Sequence, residues 1–483
     1  MRQLGGLDNL MIEGELPHVP MHMSALMIYE THGKRGATAL YKTLEANFNA
    51  LAASHFPILR CRLEEVLLQL DKAYWVEDSN FSANYHIARV ALPKPQNWQS
   101  LHALFAQFHA QPLDRARPLW QVMLVEGLDR VEGIERGSTA LFLKIHHAVM
   151  DGKSALRLIT SLHSLTADPD SPPLAASMPD EKPVDMDYQA PTWWEKYGRA
   201  WWHSIERPLD MVGTLVKILP ALLKADDATD DAAGDGAGDG AGSRRKQVIP
   251  QTRFNHALSA ERVIGHVRMD VKQLRKLKRK YACTINDIAL CVVAGGMREF
   301  LREENELPQQ NLVTLMPIDI RRENKDGTIG NHVSVAKVCL YTTIADAGAR
   351  LQAISKGSGT SKKRSKKTDG HALLRLVDDI HPAIILWLGQ WLVASGHLED
   401  LPTMVNTVVT NVPGLATDAY LAGAKLVDYL GFGPLAPNVG LFHTVSSTPD
   451  HVNVSFLSTP AFLDDGHAYA AALARSWEEL TKS

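Results

Sequence analysis

The sequence predicts an α/β protein built as two lobes, and three observations predict it. The chain has 483 residues, which is the length of two or three domains or of one large bilobal unit. Short apolar runs rich in β-branched and aromatic residues alternate with helix-periodic runs on both sides of a low-complexity stretch. The composition, 45% hydrophobic and 22% charged, is that of a globular chain and excludes wholesale disorder. Lys+Arg number 51 and Asp+Glu 54, so no basic field marks a nucleic-acid binder, and nucleic acid is not an expected partner. The four cysteines (Cys61, Cys283, Cys291, Cys339) form no CxxC pair. That argues for a reducing compartment and against a zinc cage.

The first lobe is expected over 1–165. Trp120–Glu126 (WQVMLVE) and Thr139–Ile145 (TALFLKI) read as strands, the second a continuous apolar run suited to burial on both faces. Ser154–Leu165 has apolar residues at helical spacing. The order strand, polar loop, helix places His146–Gly152 in a connection, where functional groups concentrate. The start, MRQLGGLDNLM, lacks the basic end and apolar run of a signal peptide. No stretch reaches the ~18 apolar residues of a spanning helix. Pro382–Ser395 (PAIILWLGQWLVAS) comes nearest and reads as a buried core helix. A cytoplasmic protein is expected, able to rest on the inner membrane or on lipid inclusions.

Residues 166–245 read as a linker. Ala167–Pro191 is rich in Pro, Asp and Ser, and Asp226–Gly242 (DDATDDAAGDGAGDGAG) has no apolar anchor and reads as disordered. Between them TWWEKYGRAWW puts Trp193, Trp194, Tyr197 and Trp201 on one helical face, with Lys196, Arg199, Arg207, Lys217 and Lys224 nearby. Such a face either docks on the protein's own core or lies on a lipid surface. The second lobe is expected over 246–483. Thr284–Phe300 reads as a helix after a basic run, Val271–Lys280. Asn311–Pro317, Val333–Leu340 and Thr407–Asn411 read as strands. Lys362, Lys363, Arg364, Lys366 and Lys367 lie among Gly and Ser and read as a mobile basic loop suited to anionic headgroups or CoA phosphates.

The chemistry concentrates in His146-His147-Ala148-Val149-Met150-Asp151-Gly152. Neutral histidine is both abundant and basic near pH 7, so it can take a proton from a hydroxyl that attacks an acyl carbon. Asp151 can hold the loop through an arginine or through backbone hydrogen bonds, and Gly152 is expected to supply a turn geometry closed to other residues. Metal binding needs a third ligand, and no HExxH or CxxC supplies one. No GxSxG offers a serine nucleophile.

HHAVMDG resembles the HHxxxDG motif of the CoA-dependent acyltransferase superfamily, which includes chloramphenicol acetyltransferase, carnitine acyltransferases and peptide-synthetase condensation domains. Other stretches resemble, more narrowly, the bacterial wax ester synthase/diacylglycerol acyltransferase family. They are Glu15 five residues before Pro20-Met21-His22, PLDRARPLW at 112–120, Asn286-Asp287, Pro317 with Arg321 and Gly330-Asn331, and Asn411-Val412-Pro413-Gly414 followed by LAGAKL. The sequence departs from the family pattern at Gln121, at Leu415 and at Ser446-Ser447-Thr448-Pro449.

The resemblance implies two chloramphenicol-acetyltransferase-like lobes, each a mixed sheet with helices, and an active-site tunnel at the lobe interface. It implies a fatty acyl-CoA donor, a fatty alcohol or diacylglycerol acceptor, and no cofactor beyond acyl-CoA as co-substrate. His147 is the implied general base, with no covalent acyl-enzyme. His146 is implied to be structural or a modest contributor to catalysis, Asp151 to hold the loop, with Arg321 or Arg322 as partner, and Gly152 to complete the motif. Asn286 and Asp287 either offer an oxyanion donor or brace the lobes. Pro118, Leu119 and Trp120 are expected to pack beside the tunnel, and Glu15 either approaches the site or lies on the surface. Asn411 and Gly414 are expected to shape a turn. A related acyltransferase with another alcohol acceptor, and a non-catalytic lipid-binding or lipid-droplet protein, are the alternatives. Nothing in the sequence indicates an oligomeric state.

Overall fold

The computed structural model describes residues 2–16, 18–177, 188–203, 249–319, 333–365, 403–415 and 417–483, with a few positions between 384 and 395. Two six-stranded mixed sheets form its centre. The first has the order β12 (Tyr420–Leu421), β13 (Ala424–Phe432), β2 (His22–Glu30), β7 (Thr139–His146), β6 (Trp120–Glu126), β5 (Ile87–Ala91). The second has the order β10 (Val333–Cys339), β9 (Val313–Asp319), β11 (Thr407–Asn411), β14 (Phe442–Ser447), β15 (His451–Ser458), β8 (Val263–Asp270). A small sheet of β1 (Arg2–Gln3), β4 (Tyr74–Glu77) and β3 (Cys61–Glu64) lies beside the first.

All eight residues of β7 are buried, Lys144 among them, which explains why the strand is apolar on both faces. Leu141, Leu143 and Ile145 share a core with Leu40, Leu44 and Phe48 of α2 (Lys34–Ala53). Ala140 and Phe142 point the other way, into a core with Phe105 and Phe108 of α3 (Trp98–Ala110). A strand alternates faces with period two, so Lys144 and His146 fall on the α3 side.

The second sheet is covered by α7 (Ile285–Glu303), whose residues 287–297 are all buried, and by α9 (His467–Lys482). The basic run 271–280 is helix α6 (Val271–Tyr281), burying Leu274 and Leu277 and leaving its cations to solvent.

Three expectations are corrected. The lobes do not divide linearly into 1–165 and 246–483, because the hairpin β12–β13 leaves the second lobe and pairs with β2 of the first. Its turn, Ala422-Gly423, has positive φ at both residues (51° and 74°), the backbone that closes a two-residue hairpin. Lys362, Lys363 and Arg364 do not form a loop: they fall within α8 (Ala347–Ser365), since Lys and Arg are good helix formers. Lys366 and Lys367 lie outside the described residues.

Within Pro382–Ser395 the described positions are helical, but Ile384, Trp387 and Trp391 are exposed, so they do not form a core helix. The acidic Gly-rich stretch 226–242 lies outside the described residues. Among the described residues no helix is long and apolar enough to cross a membrane.

A candidate active site where the lobes meet

β7 ends at His146, and α4 (Gly152–Leu162) begins six residues later, so the HHxxxDG motif is the connection between them. Asp151 is the N-cap of α4: its Oδ1 accepts from the Ser154 amide at 2.8 Å. Such a cap contributes about 1 kcal/mol and fixes where the loop ends. Gly152 does not supply a special turn. It is the first residue of the helix, and a Cβ placed there would meet only Val412 Cγ2 at 3.8 Å and Met23 Sδ at 4.0 Å.

The loop is tied to both neighbouring strands. The His146 amide donates to Leu119 O at 3.0 Å, and the His147 amide donates to Met21 O at 2.8 Å. The Val149 amide closes the turn on His146 O at 3.0 Å. The His147 side chain is half-buried, and desolvation pushes its pKa below the ordinary histidine value. It is therefore neutral at pH 7, the form that accepts a proton. His146 is buried, and its Nδ1 accepts from the Ala148 amide at 3.1 Å.

Pro118, Leu119 and Trp120 lie under this loop. Leu119 and Trp120 are buried; the Trp120 indole donates to Leu59 O at 2.7 Å and stacks between Phe48 and His86 at 4.5 and 4.4 Å. The Trp120 amide donates to Pro118 O at 2.9 Å. This segment carries no reacting group and holds the end of β7 in place.

The second lobe reaches the site through Asn411–Gly414. Asn411 closes β11, and the Val412 amide donates to Val445 O at 2.9 Å. The Gly414 amide donates to Ser447 Oγ at 3.1 Å, and a Cβ on Gly414 would stand 1.6 Å from Ser447 O. Only glycine permits that approach, so the turn carries Val412 to within contact of Gly152.

Asn286 and Asp287 open α7 and part company. Asp287 is buried, accepts from the amide and hydroxyl of its N-cap Thr284 at 2.9 and 2.8 Å, and accepts from Ser358 of α8 at 2.7 Å. It braces two helices of the second lobe. Asn286 Nδ2 donates to Met316 Sδ at 3.5 Å, a weak acceptor. Arg321, Arg322, Gly330 and Asn331 lie outside the described residues.

Glu15 is not on the surface. It follows α1 (Gly6–Glu13) and leads into β2, with 12% of its side chain exposed. Its Oε1 accepts from the Met21 amide at 3.0 Å, and its Oε2 accepts from Arg115 Nη2 at 3.0 Å. Sequence reasoning passed over Arg115, although it lies in the motif at 112–120. It also passed over Lys144 and gave no role to His22, which it named only within Pro20-Met21-His22; both share the His146 side of the sheet. His22 stands opposite His146 in register, and buried Lys144 donates to Phe108 O and Gln111 O at 2.8 and 2.7 Å. Burial pulls the Lys144 pKa down to about 7. Period two along β7 was the available signal for Lys144. Among the described residues no cluster of three or more His, Cys, Asp or Glu side chains is arranged to hold a metal.

Known proteins resemble this chain along its whole length. A Mycobacterium tuberculosis protein assigned by name as a diacylglycerol O-acyltransferase is 26% identical over 99% of this chain and 90% of its own. A Mycobacterium bovis protein of the same designation is 27% identical over 99% of both chains. The wax ester synthase/diacylglycerol acyltransferase from Marinobacter aquaeolei has the same fold, with TM-score 0.68 and 23% identity over 99% of this chain and 98% of that one. The first condensation domain of the CDA synthetase shares the two-lobed architecture, with TM-score 0.56 and 13% identity over 100% and 95%. Residues 4–289 match the wax ester synthase/diacylglycerol acyltransferase catalytic domain and residues 329–481 match the C-terminal domain of the same family. The chain therefore belongs to the wax ester synthase/diacylglycerol acyltransferase family.

Proposed function

We propose that this acyltransferase moves a long-chain fatty acyl group from acyl-CoA to the hydroxyl of a fatty alcohol or a diacylglycerol, with His147 as general base. The observation that carries the assignment is the half-buried, neutral His147, hung from Met21 in the loop whose far end, Gly152, faces Val412 of the other lobe. His147 takes the hydroxyl proton as the oxygen attacks the thioester carbon. The tetrahedral adduct then collapses, the C–S bond breaks, and the CoA thiolate leaves with the proton from His147. Both substrates react within one complex, so orientation and base catalysis lower the barrier without an acyl-enzyme.

The test is release of CoA thiol from palmitoyl-CoA by purified protein, with hexadecanol or dipalmitoylglycerol as acceptor. His147→Ala is expected to lower acceptor-dependent release by at least ~100-fold. Release that survives the substitution would mean another base. A wild type inactive with both acceptors would point to another alcohol or to a lipid-binding role.

We infer that the protein works at a lipid surface on the cytoplasmic side, at the inner membrane or an inclusion. Helix α5 (193–203) supports this reading, because its tryptophans do not dock on the core. Ala200 is buried beside Val66, Tyr74 and Val76, and Lys196 reaches Glu64 at 2.6 Å. Trp193, Trp194, Trp201 and Trp202 are 60%, 79%, 67% and 58% exposed, and Leu67 and Leu68 are also exposed. A cavity of about 640 Å³, lined by Leu67, Leu68, Tyr197 and Trp387 among others, adjoins this apolar surface. Exposed indoles with apolar neighbours favour the headgroup region of a bilayer.

A further inference from the structure

We propose that Glu15, aimed by Arg115, is a positioning residue of the reaction: its carboxylate fixes the ring of His146 and, through Met21, the main chain from which His147 hangs. The proposal rests on the reading of His147 as the base.

The geometry joins three stretches far apart in sequence. The His146 Nδ1 accepts from the Ala148 amide at 3.1 Å, so Nε2 is the ring nitrogen that carries a proton. That Nε2 is buried, has no hydrogen-bond partner among the described residues, and lies 3.7 Å from Glu15 Oε1. The same Oε1 accepts from the Met21 amide at 3.0 Å, and Met21 O accepts from the His147 amide at 2.8 Å. Glu15 is thus two hydrogen bonds from the backbone of the base and faces the ring of the preceding residue.

Its second oxygen is held by Arg115 Nη2 at 3.0 Å. That nitrogen also donates to Ile12 O at 2.6 Å, and Nη1 lies 3.7 Å from Glu65. The guanidinium is therefore fixed by α1 and by the stretch before the small outer helix turn at 67–69, and it cannot swing away without releasing both. Burial alone would raise the Glu15 pKa, but His146, Arg115 and the Met21 amide outweigh it and hold the carboxyl at about 2. A permanent negative charge therefore stands behind the catalytic loop, where His147 becomes an imidazolium during transfer. Nothing in this arrangement requires Glu15 to touch substrate.

A mere brace and a charged positioner are separable. Glu15→Gln keeps the shape and an oxygen for the Met21 amide but removes the charge. It is expected to lower kcat roughly 10- to 100-fold, as displacement of a reacting group does, with KM for palmitoyl-CoA and hexadecanol unchanged. It should also move the acid limb of kcat/KM to lower pH, because losing a negative charge disfavours the imidazolium. Arg115→Gln should move that limb the opposite way, because Glu15 loses its counter-charge. Glu15→Asp should recover part of kcat. Among the described residues, the ionisable groups facing His146 and His147 are Glu15 and Arg115, His22 of β2, Lys144 of β7 and Asp151 of α4, and none of the other four is altered in Glu15→Gln. Thermal melts of each variant show that the fold is retained.

Full kcat in Glu15→Gln, or a fall in kcat with an unmoved acid limb, would overturn the proposal while an inactive His147→Ala left the base assignment standing. An active His147→Ala would overturn the base assignment and this inference with it.

Discussion

Gly152 and Gly414 stand on either side of the junction between the lobes and answer to different constraints. An Asp-Gly pair reads as a turn, so the sequence suggests special backbone freedom at Gly152. The cap formed by Asp151 changes that reading: the helix has already begun, and there is ordinary room for a Cβ. Gly152→Ala is expected to leave the unfolding free energy measured in urea unchanged or to raise it by up to ~1 kcal/mol, since alanine narrows the unfolded ensemble. Any loss of turnover in that variant then reports on room for substrate. Gly414→Ala forces a carbon onto Ser447 O and is expected to cost roughly 2–4 kcal/mol. Equal midpoints for the two variants would show that the contact with Ser447 is not what selects glycine. The histidine pair was legible because its chemistry is written in residue types. The Arg115–Glu15 contact was not, because the two residues are 100 positions apart and only strand pairing brings them together.

Helix α5 shows how far periodicity reaches. The 3.6-residue pattern correctly puts Trp193, Tyr197 and Trp201 near one another, and Trp193 meets Tyr197 at 4.8 Å between ring centroids. It does not say which face the protein keeps for itself. Ala200, the small residue, is the one that lets the helix approach Val66 and Val76, and the indoles are left outward. Strand positions were more legible: Trp120–Glu126 and Thr407–Asn411 are strands with the expected bounds, because buried strands leave short apolar runs between polar loops. Replacing Trp193, Trp194, Trp201 and Trp202 by Ala together is expected to weaken co-sedimentation with phosphatidylglycerol/phosphatidylcholine vesicles by at least ~100-fold. Half of an indole's ~200 Å², at about 25 cal/mol per Å², is about 2.5 kcal/mol for each ring. The melting temperature should hold, because these side chains stabilise no core. Vesicle binding that survives all four substitutions would remove α5 from the lipid-facing surface.

The two lobes are held together by pairings that no local pattern announces. The hairpin β12–β13 crosses to the first sheet, and Asp428 at its bulge is fully buried against the second. There it accepts from His451 Nε2 at 3.0 Å and Asn453 Nδ2 at 2.6 Å, and it pairs with Arg268. Around these sheets lie histidines that fold in the neutral form. Desolvation pulls the pKa of His102 and His443 down to about 3 and of His163 and His266 to about 4, and holds His22 and His109 well below the usual value. In the unfolded chain each titrates near 6.5. Because the folded pKa is the lower one, the unfolded state binds more protons below that pH. Stability is therefore whole above about 6.5 and is lost as pH falls toward the folded values. Between pH 7 and 5.5 each buried histidine should cost about 1 kcal/mol, so the six together remove several kcal/mol from a total of roughly 5–15. Asp428 and Glu15, whose folded pKa values lie below the carboxylate range, keep their contributions until pH nears 4, so they do not blur this window. Urea denaturation at pH 7 and 5.5 measures the effect, and the slope of stability against pH counts the protons taken up on unfolding. A flat profile over that interval would mean that these rings take up protons in the folded protein as readily as in the unfolded chain, and that the polar layer between the sheets admits charge rather than excluding it.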